Sequence, residues 1–112
     1  MVYDIWFIPP SLQNKYKKLN NSNTGDKGLF DCLTEAFGEL AIDPDQGAHI
    51  PRDRIPKKYK KIDPSMKKSC WKYDLPNAWR LIYFIANDNK SRYVGIVGWM
   101  THDEYARDFN YK

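Results

Sequence analysis

The sequence predicts a small α+β domain: a mostly antiparallel sheet with helices packed on it. Three observations lead there. Leu29, Cys32, Leu33, Ala36, Phe37 and Leu40 recur at helical spacing. From Ser69 the pattern changes to strand-like runs separated by turn formers. Thr101 and Glu104 then make the S/T-x-x-E signature of a capped helix start. Two helices followed by a meander suit a layered architecture.

Each element follows in order. Residues 2–8, VYDIWFI, are β-branched and aromatic and read as a strand. Pro9 and Pro10 stop it, and Pro10 can open a helix. Leu12, Tyr16 and Leu19 then form one apolar stripe, with Lys15, Lys17 and Lys18 on the wet side. NNSNTGDKG, residues 20–28, reads as a loop, with Asp26 a candidate cap for the helix through Leu40. Asp43-Pro44 ends that helix. Residues 44–56 read as irregular. Pro56 can start a short helical turn carrying KKYKKI, and Asp63-Pro64 closes it. SCWKYDL is the first strand of the meander, Pro76-Asn77 a turn, WRLIYFIA the second strand, NDNKS (87–91) a hairpin loop and RYVGIVGWM the third. The last two strands are apolar on both sides, so both faces should be largely covered. A final helix begins at His102. The expected order is β-α-α-β-β-β-α, with no repeat or linker.

Composition narrows the function. A length of 112 residues suits one domain, residues 1–112, and 42% hydrophobic content suffices for a modest core without a disulfide scaffold. The mean hydropathy of −0.73 reflects lysine, asparagine and aspartate. No apolar run approaches the ~20 residues of a membrane span, and MVYDIWFIPP lacks the basic region and cleavage site of a signal peptide. The expectation is a cytoplasmic protein with no membrane partner. Cys32 and Cys70 lack CxxC spacing and read as reduced, structural thiols; with only two histidines no metal site is expected, and no cofactor. Net charge is +4. Arg52, Arg54, Lys57, Lys58, Lys60 and Lys61 crowd one segment, and Lys67, Lys68 and Lys72 follow. Such a run can bind phosphates or be a plain solvated face.

Three stretches carry a resemblance: IPKKYKKI (55–62), WKYDLPNAWRLIYFI (71–85) and WMTHDEYARDFNY (99–111). Their order and spacing, IPKxYxK, then W-x-Y-x-LP-x-x-WRL-x-Y, then WM-x-H-x-EY-x-x-x-F-x-Y, resemble the RelE-like subgroup of the RelE/ParE superfamily of type II toxin–antitoxin toxins. The likeness spans nearly the whole chain. It implies two N-terminal helices on one face of the sheet, a short C-terminal helix, and a concave second face that binds RNA on the ribosome. It also implies a cognate antitoxin as partner and, for many such toxins, cleavage of mRNA in the 30S A site. Other superfamily members act on DNA gyrase or show no activity, and fold alone does not choose among these.

Metal-independent RNA cleavage needs a base for the 2′-OH, cations for the phosphorane and an acid for the departing 5′-oxygen. Arg80 matches the arginine that superfamily nucleases carry on the middle meander strand, and its planar fork suits a phosphate. The plain alternative pairs it with Asp74 across the hairpin. His102 and Tyr105, one turn apart, are candidates for acid–base work, with Tyr105 also able to stack on a base. Alternatively Tyr105 and Phe109 simply pack the helix down, with His102 exposed on the first turn. Lys57, Lys58, Lys60 and Lys61 match the basic segment that holds RNA in the resembling toxins; the residues do not say which lysine does chemistry. Arg107 is a further phosphate candidate. Glu104 reads as the capping partner rather than a base.

Overall fold

The computed structural model describes residues 2–20, 26–87 and 90–109. The first strand, β1 (Asp4–Phe7), ends at the two prolines, and α1 (Pro10–Asn20) follows at once. The helix α2 (Asp26–Ile42) is already under way at Asp26; residues 21–25 of the expected loop lie outside the described residues. Helix α2 ends before Asp43-Pro44. Tyr16 of α1 stacks on Phe30 of α2 at 4.6 Å and lies 5.4 Å from both Phe7 and Phe37, so the α1 stripe binds both its neighbours.

The 44–56 stretch holds more than an irregular chain. A 3-10 turn at Pro44–Gln46 leads into a two-residue strand, β2 (Ala48–His49), and a second 3-10 turn spans Arg52–Arg54. Pro56 precedes the short helix α3 (Lys57–Lys60), and Asp63 caps a further turn by accepting from Ser65 N–H at 2.8 Å. The meander is β3 (Trp71–Leu75), β4 (Trp79–Asn87) and β5 (Arg92–Thr101). Residues 88 and 89 of the expected hairpin loop lie outside the described residues. The last helix, α4 (His102–Asp108), starts where the capping box put it.

The strands form one mixed sheet in the order β1-β5-β4-β3-β2. Only β1 and β5 run parallel among the described strands; the other neighbours are antiparallel. On one face Leu12, Leu33, Ala36, Phe37 and Leu40 of α1 and α2 cover Leu81, Tyr83, Val94 and Ile96. The other face is covered as well. Ile50, Ile55, Tyr59, Met66 and Cys70 join Tyr105 and Phe109 over Ile82, Phe84, Val97 and Met100. The double-sided apolar strands therefore have the cover they require. The open concave face implied by the resemblance is replaced here by the 50–70 segment and α4, because five apolar side chains of that segment are core residues.

A β-bulge at Val97 sets the geometry of the site. Ile82 faces Gly98 but Tyr83 faces Ile96, so one residue of β5 is skipped. A bulge re-phases the alternation of its strand. Beyond it, Met100 shares the face of Ile82 and lies opposite Arg80. Thr101 lies opposite Trp79, and α4 therefore begins beside Arg80. Below the bulge the Phe84 ring lies over Gly95: a Cβ there would sit 2.3 Å from the ring.

Candidate functional site: a cationic cluster around Arg80

Arg80 lies on the face of Ile82 and Phe84, one residue into β4. Its side chain is 16% exposed, and each guanidinium nitrogen has a neighbour. Nη1 donates to the Trp79 carbonyl at 3.0 Å, and Nη2 lies 3.1 Å from His102 Nδ1. Nε lies 3.0 Å from Asp74 Oδ1 on the paired strand. That last contact is ionic rather than a hydrogen bond, since the Nε–H is not directed at the carboxylate. So a costly partly buried guanidinium is offset by a carboxylate, a carbonyl and an imidazole.

The chemistry fixes the state of His102 in this contact. A guanidinium has donors and no acceptor. His102 Nδ1 must therefore accept, which leaves a neutral ring with its proton on Nε2. The capping box fixes the first turn of α4, which carries this ring. Thr101 Oγ1 accepts from Glu104 N–H at 3.3 Å, and Glu104 Oε1 takes Thr101 N–H at 3.1 Å. These Thr101 donors hold the Glu104 carboxyl below its ordinary range. Glu104 is thus the capping partner.

Two further groups join: Asp74, the plain partner weighed for Arg80, and Lys72, read at the outset only as part of the basic run. Lys72, opposite Ile82 on β3, places Nζ 3.2 Å from Asp74 Oδ1 and 5.5 Å from the Tyr105 ring centroid. Asp74 Oδ1 therefore meets two cations. The signal in the sequence was the i, i+2 spacing of Lys72 and Asp74 on a strand opposite Arg80.

The remaining candidates lie elsewhere. Tyr105 is 2% exposed and stacks on Phe109 at 4.7 Å, so its ring belongs to the core beneath α4. Lys57, Lys58 and Lys61 are exposed and Lys60 partly so. Lys58 pairs with Asp108 Oδ2 at 3.1 Å, and Tyr59 reaches the same oxygen at 3.5 Å. Asp108 ends α4, about 9 Å along the axis from His102 at 1.5 Å per residue. The lysine segment and the Arg80–His102 pair thus flank opposite ends of one helix. Burial and the Asp108 charge push the Tyr59 hydroxyl up to about 12, which keeps it a proton donor. Arg107 is 73% exposed beside Asp108. Cys70 is fully buried, its thiol pushed up to about 12 by burial, as an inert core thiol should be.

A cavity of about 580 Å³ opens at the other end of the sheet, between β1 and the start of β5, lined by Val2, Trp6, Ile8 and Tyr93 among others. It does not include Arg80. Among the described residues no three His, Cys, Asp or Glu side chains gather as a metal-ligand set, and no helix is long and apolar enough to cross a membrane. Comparison with protein-family models, curated proteins and solved structures finds no match.

Proposed function

We propose that this chain is the toxin of a type II toxin–antitoxin pair with a RelE-like fold, acting in the cytoplasm as a metal-independent endoribonuclease on mRNA in the ribosomal A site. The observation that carries the reading is the meeting of Arg80 and His102 at 3.1 Å on one face of the sheet, with Lys72 nearby through the shared Asp74. The strand–helix–helix–meander–helix order supports it.

The groups suit the reaction. A phosphate taken up by the Arg80 fork releases His102 Nδ1 from its contact. The freed lone pair takes the proton of the adjacent 2′-OH, and the 2′-oxygen bonds to phosphorus. The bond from phosphorus to the 5′-oxygen breaks, and solvent protonates that oxygen. A 2′,3′-cyclic phosphate and a 5′-hydroxyl result. Arg80 stabilises the added charge on the phosphorane, commonly the largest contribution to such catalysis. The lysines of 57–61 and Arg107 hold the RNA backbone beyond α4, and a cognate antitoxin covers basic surface.

One observation favours a second reading. Tyr105 is in the core, so the site has one acid–base group fewer than its residue types suggested. A non-catalytic RelE/ParE-fold binding protein, such as a gyrase inhibitor or an inactive homologue, would need none. Induction in cells followed by primer extension separates the two. The nuclease reading expects new mRNA 5′ ends and growth arrest, both relieved by Arg80→Ala. No new ends with normal translation would sink it.

A further inference from the structure

Asp74 is the one carboxylate that both cations of the cluster share. Lys72 Nζ and Arg80 Nε reach the same oxygen, Oδ1, at 3.2 and 3.0 Å. Two cations converging on one anionic oxygen are arranged as they would be around a phosphate oxygen. The two cations are held and the carboxylate is not. Arg80 is fixed by the Trp79 carbonyl and His102, and Lys72 lies against the Tyr105 ring. Asp74 is 61% exposed, near the end of β3. Exposed ion pairs of this kind are weak. The Arg80 Nε–H, though shielded from solvent, makes no hydrogen bond with it.

We infer that Lys72 and Arg80 together form a phosphate-binding cradle and that the Asp74 carboxylate is its resident, displaceable occupant. This rests on the proposed function and deepens it: it names the anion subsite, adds Lys72 as a ligand, and makes Asp74 an internal competitor that lowers affinity for RNA. An entering phosphate replaces one carboxylate oxygen with its own and gains the fork of Arg80. The carboxylate turns out to water.

The test is binding of a fluorescent single-stranded oligoribonucleotide, 2′-O-methylated to prevent cleavage, with inorganic phosphate as competitor. Asp74→Asn keeps the shape of the side chain and removes its charge. It should tighten binding roughly three- to tenfold, as the loss of one nearby like charge at a partly exposed site implies. Asp31→Asn changes net charge equally on the exposed side of α2 and should leave affinity within about twofold, by the same screening. Lys72→Met should weaken binding, and phosphate should compete less well with that variant. Unchanged or weaker binding by Asp74→Asn, or an equal gain from Asp31→Asn, overturns the inference. If Arg80→Ala still abolishes binding in that case, the proposed function stands without it. If Arg80→Ala binds as the parent does, both fall; if the parent does not bind the oligonucleotide, the inference falls and primer extension still decides the proposed function.

Discussion

Arg80 would be a liability on this strand without its three neighbours, and the neighbours require a fork. Nε, Nη1 and Nη2 each meet a different group, which an ammonium cannot reproduce. Arg80→Lys is therefore expected to keep the fold and to lose about tenfold or more in oligonucleotide affinity, the worth of a charge-assisted contact; fluorescence anisotropy at fixed salt reads it. A second residue-scale prediction concerns the turn before it. Asn77 and Ala78 both sit at positive φ, 61° and 62°. Asparagine tolerates this region and alanine does not. Ala78→Gly should stabilise the protein by about 0.5–1 kcal/mol, relief of strain exceeding the added freedom of the unfolded chain, measured by urea unfolding. Leu-Pro-Asn was legible as a turn, and Asp74 as the cross-strand partner of Arg80. Lys72 was not legible as a member of the site, since the lysine run gave it no distinction until register put it beside Asp74.

The elements that aim the site are a bulge and a capping box. The box was readable because its side chains and its spacing are both local. Thr101→Ala should cost about 1 kcal/mol and lower the melting temperature by roughly 4 °C or more for a domain of this size. Its acidic half has a definite pH sign. The Glu104 carboxyl is held below its ordinary value of 4.5 by the Thr101 donors. Its contribution is therefore full above that value and is lost as pH falls through the depressed one. The difference between melts of the parent and Glu104→Gln should shrink as pH falls below 4.5. The bulge was not readable, because Val97 and Gly98 continue an apolar run that fits unbroken alternation equally well. Strand β2 was missed for a related reason: two residues carry no period. Gly95 leaves room for the Phe84 ring, which lies over it. Gly95→Ala must displace the Phe84 ring and should destabilise by roughly 1–3 kcal/mol.

At the scale of the molecule, the sheet has a core on each face, as its double-sided apolar strands required, but only one of the two covers was visible in the pattern. The α2 repeat announced the first. The second is assembled from Ile50, Ile55, Tyr59, Met66 and Cys70: Tyr59 sits in a single helical turn, Met66 in a 3-10 turn and the other three in irregular chain, with no common period. Their lysine and arginine neighbours made the segment read as surface alone. It is both: its apolar side chains close the sheet and its charges face water. This core also docks α4 through Phe109, which is fully buried. Phe109→Ala should cost about 3–5 kcal/mol, a large part of the 5–15 typical of such domains, and should weaken RNA binding by freeing the helix that carries His102. His102→Ala should cost much less, about 1 kcal/mol, for the hydrogen bond it accepts from Arg80. The central claim is that Arg80 handles a substrate phosphate, and cleavage on ribosomes tests it most directly. Purified protein is added to ribosomes programmed with a defined mRNA, and new 5′ ends are mapped by primer extension beside Arg80→Ala with a matched thermal melt. The account predicts A-site cleavage by the parent and none by the folded variant. Equal cleavage by both, or none by the parent, would contradict it.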